Sequence, residues 1–232
     1  NQEIIFLVSL VVVCAMLRRV IDELDEATKL KIFYAALIIF VYRAMPTAGP
    51  GYSWFAIDVL GFDEAFFGVL GQIGAGVAIV AAWMLSDVVT RKPVAQVLLW
   101  LTILGTILSL PSLLLVFQLY QTTEALVGIG ARGIALFDTV ATSPFAQLSM
   151  IPLLTLVAVY APAGHRATWF ALMASLMNLA LVAGGMLTKY LNILFPVNRG
   201  DYHNLPILVV VASILSLVLP LAAIAIFGRR VR

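Results

Sequence analysis

An arginine placed directly before a proline- and glycine-rich segment is the most chemically suggestive feature of this sequence. Arg43 follows the apolar run from Leu30 to Val41 and precedes Pro46, Gly49 and Gly51. An unpaired guanidinium inside a bilayer costs about 2.5 to 3.5 kcal/mol on insertion scales, so it usually faces a polar cavity, pairs with an acid or extends to the headgroups. Proline and glycine predict a helix break whose backbone groups need other partners. The pattern indicates either a substrate-facing cation beside a helix break or an arginine at the membrane interface.

Two further polar residues, Asp138 and Asn178, lie within apolar runs. A carboxylate inside a membrane commonly binds a proton, forms an ion pair or contacts a substrate. We predict that Asp138 lies at a depth similar to that of Arg43, so the two are candidates for substrate binding and Asp138 also for proton coupling. The two side chains could equally pair with each other. Asn178 is a third candidate for substrate binding, although such an amide more often links neighbouring helices.

Two further candidate residues, Asp87 and Arg91, lie at the end of an apolar run. An aspartate followed by basic residues at a helix end can form a charge-assisted latch to a neighbouring helix, which holds in one conformation and breaks in another. Ordinary interfacial charge explains the same residues equally well.

The sequence does not support an enzymatic, metal-binding or cofactor-binding site. The sequence has no phosphate-binding glycine loop, HExxH zinc motif or GxSxG nucleophile motif, so no cofactor, metal or nucleic acid is expected. His165 and His203 fall in loops on opposite sides and cannot share a metal. The single cysteine, Cys14, lies in an apolar run and cannot form an intrachain disulfide. We therefore do not expect an enzyme.

Composition predicts an all-α polytopic membrane protein. Hydrophobic residues make up 62% of the 232 residues and charged residues 11%, against about a quarter charged in soluble domains. Runs of about 20 apolar residues are long enough to cross a bilayer. The predicted spans are 30–47, 65–88, 94–118, 134–160, 166–194 and 205–228. We expect residues 1–17 to be the end of a truncated transmembrane helix, 18–29 a charged linker, 30–228 a six-helix bundle and 229–232 a basic tail.

The basic residues predict the orientation. If the linker is cytoplasmic, that side collects ten Lys and Arg residues and the opposite side three, with Arg43 near its edge. This bias agrees with the positive-inside rule, so the linker and the C-terminus are expected in the cytoplasm.

Six spans after a charged linker resemble the C-terminal half of a major facilitator transporter, and residues 85–92 (LSDVVTRK) resemble that superfamily's loop motif. More narrowly, the chain resembles the folate–biopterin transporter family. The residues that carry this likeness are the segments RAMPTAGPGY at 43–52, LGF at 60–62, Asp138-Thr139, PLL at 152–154, YAP at 160–162 and ATWFAL at 167–172.

The resemblance implies a proton-driven secondary transporter of folates or pterins, with Arg43 and Asp138 in its central cavity. Arginine could bind the carboxylates of folate, and aspartate could accept from the pterin ring or carry the proton. It also implies partners: the substrate, the lipid bilayer and a missing N-terminal six-helix half. The alternatives are a carrier of another organic anion and a non-transporting membrane assembly subunit. A membrane enzyme acting on lipids would need clustered acids or histidines, and only Asp138 is present.

Overall fold

The computed structural model describes residues 1–22, 24–162 and 164–231, and its secondary structure there is helical apart from one isolated bridge between Asn198 and Asp201. Glu23 of the predicted linker and Arg232 of the predicted tail lie outside the described residues. The helices are α1 (Gln2–Val20), α2 (Glu26–Arg43), α3 (Pro50–Asp58), α4 (Glu64–Arg91), α5 (Val94–Leu108), α6 (Leu110–Val116), α7 (Tyr120–Val127), α8 (Ala131–Val159), α9 (Arg166–Leu194) and α10 (Leu205–Phe227).

Within the described ranges, five segments are long and apolar enough to cross a membrane: Glu64–Asp87, Val94–Val116, Ala131–Val159, Arg166–Leu194 and Leu205–Phe227. They correspond to the last five predicted spans, and this confirms an all-α polytopic membrane protein. The first predicted span, 30–47, differs. Its helix starts earlier, at Glu26, and stops at Arg43, so it is a broken helix rather than a continuous span.

The predicted charged linker is shorter in the structure. Helix α1 continues to Val20, and α2 begins where the carboxylate of Asp25 accepts the backbone N–H of Thr28 at 2.9 Å. An aspartate in this position satisfies one of the free donors at a helix start. Helix α1 packs along α9, where Lys189 donates to Glu3 at 2.7 Å.

The bundle is organised around α8, which packs most extensively against α4 and also contacts α5 and α6. Gly74 of α4 lies directly against α8, since a Cβ there would lie 2.8 Å from Ser143 Oγ and 3.3 Å from Thr139 Cγ2. Close approach of this kind is how membrane helices gain packing contacts without a hydrophobic driving force. It holds α8, and therefore Asp138, firmly against α4.

The largest apolar core joins α2, α5, α8 and α9 near the end of the bundle where α10 finishes, here called the tail end. Trp169 is its largest fully buried side chain, and the indole N–H donates to the Val157 carbonyl at 2.7 Å. At the same end, Arg230 donates to the Tyr34 hydroxyl at 2.6 Å and lies over its ring, and Tyr34 stacks on Phe227.

The opposite end is held by a polar cluster that we call the clasp, formed by Asp58, Arg199 and Tyr202. The Arg199 guanidinium donates twice to the Asp58 carboxylate, at 3.1 and 3.2 Å, and the Tyr202 hydroxyl donates at 2.5 Å. Arg199 and, to a smaller degree, Tyr202 hold the pKa of Asp58 below its ordinary value of 3.8. The clasp ties the end of α3 to the connection between α9 and α10.

Candidate functional site

The break between α2 and α3 occupies residues 44–49, and the chain continues from it to the clasp, where α3 ends at Asp58. Pro46 cannot donate to a helical hydrogen bond, and Gly49 has a φ of +67°, which favours glycine. Pro50 then starts α3, as proline commonly does at the first turn of a helix. These are the residue types from which the sequence predicts the break.

Other helices satisfy the backbone groups that the break exposes. The N–H of Thr47 donates to the Thr188 hydroxyl of α9 at 2.9 Å, and Ser216 of α10 donates to the Pro46 carbonyl at 3.4 Å. Gly184 of α9 lies directly against the break, since a Cβ there would come within 2.8 Å of the Met45 carbonyl oxygen. Contacts with α9 and α10 therefore fix the position of the break in the bundle.

Arg43, the last residue of α2, extends into the bundle rather than toward an end. Its Nη1 donates to the Met150 sulfur of α8 at 2.8 Å. Met150 is nine residues from the end of α8 at Val159, roughly 14 Å along the helix. The Nε atom is buried and has no hydrogen-bond partner within the described part of the chain. The guanidinium therefore lies between the helices of the bundle, against α8.

Asp138 lies in the third turn of α8, on the clasp side of the bundle. Its Oδ1 atom is buried, and it too has no hydrogen-bond partner among the described residues. The hydroxyl of Tyr52 on α3 is near enough for the carboxylate to act on it electrostatically. A buried polar atom without a partner is uncommon and costs free energy, so each such atom needs an explanation.

Arg43 and Asp138 lie at different levels of the bundle. Asp138 is twelve residues before Met150 on α8, so roughly 18 Å of helix separates the aspartate from the residue that Arg43 contacts. No ion pair joins the two within the described ranges. The prediction of similar depth is therefore wrong for the guanidinium, which contacts α8 twelve residues beyond Asp138. Arg43 Nε and Asp138 Oδ1 both remain without a hydrogen-bond partner among the described residues.

The other candidates occupy different places. Asn178 is exposed on α9 and is not among the residues that line the cavity described below. Asp87 and Arg91 approach each other at 3.8 Å within α4, both more than four-fifths exposed. Gly51 packs in α3 under Val197, where a Cβ would come within 2.7 Å.

The structure adds residues that the sequence did not single out. Thr188 and Gly184 contact the residues of the break, and Met150 contacts Arg43. The only signal in the sequence is for Gly184, which follows Ala171, Ser175 and Ala180 as a small residue of α9, and there is none for Thr188 or Met150. Their roles depend on which helix lies beside the break.

The class of protein follows from the fold: this is an integral membrane protein of several apolar helices, one of them broken beside buried polar groups. The chain belongs to the BT1 family, whose pattern matches residues 2–231. No solved structure matches it significantly.

Two relatives show the same kinship. The chain is 29% identical over 194 residues to the folate-biopterin transporter of Synechocystis sp., covering 82% of this chain and 37% of the relative. It is 27% identical over 172 residues to the probable folate-biopterin transporter 2 of Arabidopsis thaliana, covering 73% of this chain and 34% of the relative. The matches thus span about a third of each relative's length.

Proposed function

We propose that the chain forms the C-terminal six-helix half of a secondary transporter that moves folates or pterins across a membrane with protons. The two similar proteins are named as folate-biopterin transporters, and neither as an enzyme. In this proposal the broken pair α2 and α3 acts as one span beside the five apolar ones. A second half completes the substrate pathway, because transporter sites commonly lie between two repeats near the membrane midplane.

The observation that carries the proposal is the pair of unpartnered atoms, Arg43 Nε and Asp138 Oδ1, inside an apolar bundle. A substrate with carboxylates supplies the acceptor that Arg43 lacks, and a proton or a donor on the substrate satisfies Asp138. The break beside Arg43 agrees with this role, since broken helices are typical of binding sites in secondary transporters. Arg43 therefore binds the anionic end of the substrate and Asp138 takes up the coupling proton.

The remaining assignments complete the proposal. The tail end faces the cytoplasm, as the distribution of Lys and Arg favours. Cysteines at Thr28 and Asp201 in a Cys14→Ser background should then react differently with an impermeant thiol reagent, and equal reaction from outside would exclude this orientation. Asn178 faces the second half, and Asp87 with Arg91 contacts a neighbouring helix end in one conformation only.

Uptake by the complete transporter in proteoliposomes tests the main proposal. Arg43→Lys keeps the charge but loses the bidentate geometry, so folate uptake should fall, and Arg43→Ala should reduce it further, by about a hundredfold. Asp138→Asn should abolish acceleration by an inward proton gradient. Arg132→Ala is the matched control, since this cation contacts Asp63 in an exposed position.

The outcomes separate the alternatives. Uptake of another organic anion in place of folates and pterins would make the protein a different carrier, and no uptake of any anion would favour an assembly subunit. Wild-type uptake and pH response in both Arg43→Ala and Asp138→Asn would contradict the site assignment.

A further inference from the structure

A cavity of about 520 Å³ lies between α2, α5, α8 and α10, beside the break. Its volume is in the range of small-molecule sites, roughly 300 to 1,000 Å³. Eight hydroxyl-bearing residues from these helices and the break line it: Tyr42, Thr47, Thr102, Thr106, Ser109, Ser149, Ser213 and Ser216. So many hydroxyls around one space in an apolar bundle indicate a site for a polar molecule.

Among the residues that the structure describes, none with a charged side chain lines the cavity. A carboxylate or an ammonium group placed there would lose its hydration without gaining a counter-ion, which is strongly unfavourable. A neutral polar group would lose less and could gain hydrogen bonds. The cavity therefore favours the uncharged part of a ligand.

The hydroxyls on one wall already use their hydrogens. Thr102 donates to the Leu98 carbonyl at 2.8 Å, Thr106 to the Thr102 carbonyl at 2.9 Å, and Ser109 to the Thr106 carbonyl at 2.9 Å. Their oxygens keep lone pairs, so this wall accepts hydrogen bonds more readily than it donates them. A complementary ligand carries N–H or amino donors.

Two aromatic rings and a glycine form part of the cavity wall. The rings of Tyr42 and Phe145 contribute to its lining, and Gly105 contributes bare backbone. A Cβ at Gly105 would lie 3.9 Å from Phe145 Cβ, so a larger side chain at this position would narrow the space between α5 and α8. Aromatic walls and hydrogen-bonding edges together are typical of sites for heterocycles.

The cavity begins one residue away from the candidate site. Tyr42 directly precedes Arg43, and Ser149 directly precedes Met150, the residue that Arg43 contacts. The Tyr42 hydroxyl also interacts with Thr102 and Ser149. A ligand in the cavity thus lies beside Arg43, the last residue of the adjoining helix α2.

We propose that this cavity binds the neutral, donor-bearing heterocycle of the substrate, a pterin-type ring, while the carboxylate end of a folate extends to Arg43. The inference rests on the proposed function and adds to it a division of the substrate between two subsites. Molecules that have the ring without the carboxylates depend on the cavity alone.

Binding to the complete, purified transporter tests this division, with biopterin, folate and p-aminobenzoylglutamate as the three probes. The double variant Thr106→Val with Ser213→Ala removes two hydroxyls and should weaken biopterin and folate binding by about tenfold, with p-aminobenzoylglutamate unchanged. Gly105→Leu should weaken the same two probes by filling the cavity. Arg43→Ala should weaken the binding of folate and p-aminobenzoylglutamate and leave biopterin binding unchanged.

Thr155→Val is the matched control. Thr155 also donates to the carbonyl four residues earlier, at 2.8 Å, but does not line the cavity, so this variant should bind all three probes as the wild type does. Thermal unfolding checks that each variant is folded, and Ser213→Ala alone replaces the double variant if that one unfolds.

Each result decides the question. Wild-type affinity for biopterin and folate in folded cavity variants overturns the cavity assignment and leaves the proposed function intact. An equal loss for all three probes also overturns it, because the cavity would then not distinguish ring from tail. A wild-type protein that binds neither biopterin nor folate overturns the proposed function and this inference together.

Discussion

The two ends of the bundle are held together by different kinds of contact. The tail end combines a buried tryptophan with stacked rings and a guanidinium over Tyr34. The clasp end relies on Asp58 and Arg199 in exposed positions and on the partly buried Tyr202. Packed aromatic contacts change little with pH and salt, but exposed ion pairs are screened and titrate. Acid or high salt should therefore loosen the clasp end first, and with it α3 and the side of the break that faces the clasp.

The largest effect is expected from Trp169→Ala at the tail end. The substitution empties a fully buried position and removes the hydrogen bond to Val157, so unfolding free energy should fall by about 3 kcal/mol. Thermal unfolding of the purified protein in one detergent measures it. Trp83→Ala is the matched control, since Trp83 is 81% exposed and its loss should change little. Equal losses in the two variants would contradict the assignment of the core.

Arg230→Ala should have an intermediate effect at the same end. It removes both the hydrogen bond to the Tyr34 hydroxyl and the cation over that ring, which should cost about 1 kcal/mol in thermal unfolding. The neighbouring Arg229 is also exposed but makes no side-chain hydrogen bond or ion pair among the described residues, so Arg229→Ala should leave stability unchanged. If the loss in Arg230→Ala disappeared in high salt, the contact would resemble those of the clasp and the contrast between the ends would fail.

The smallest effect is expected from Asp58→Asn, and it should depend on pH. Because Arg199 and Tyr202 lower the pKa of the folded Asp58 carboxyl below its ordinary value of 3.8, the clasp stabilises the fold above that pH. This contribution is lost as the pH falls through the lower, folded pKa. Unfolding curves between about pH 6 and pH 3 should therefore show a steeper acid loss in the wild type than in the variant.

Arg199→Lys offers a graded control for the clasp. Lysine keeps the charge but cannot make the two parallel hydrogen bonds, so the acid dependence should be weaker than in the wild type and stronger than in Asp58→Asn. An acid response identical in all three proteins would show that the clasp does not contribute.

The sequence predicted some elements closely and misplaced others for physical reasons. The span 166–194 agrees with α9, because polar residues precede its long apolar run and proline follows it. The charged residues between α1 and α2 suggested a longer linker, but charges at helix ends extend toward water without ending the helix. Helix α3 was missed because a nine-residue helix inside a proline- and glycine-rich segment has no apolar period of its own.

The candidate site was predictable in its polar residues but not in its geometry. Arg43 and Asp138 stand out because charges are rare in apolar runs, while their separation follows from where α2 ends and which residue of α8 lies opposite. The sequence did not predict the hydroxyl-lined cavity, since serines and threonines are common in membrane helices. Only after four helices are assembled do they surround one space.

The hydrogen bond from the Thr47 amide to Thr188 has a consequence for hydrogen–deuterium exchange. Amides inside a helix exchange when the helix itself unwinds, but this amide is protected by a side chain from another helix. It exchanges whenever α9 withdraws from the break, even while α2 and α9 both stay helical. The exchange rate at Thr47, followed by mass spectrometry of a peptide covering residues 44–49, therefore reports how often the two helices separate at the centre of the bundle.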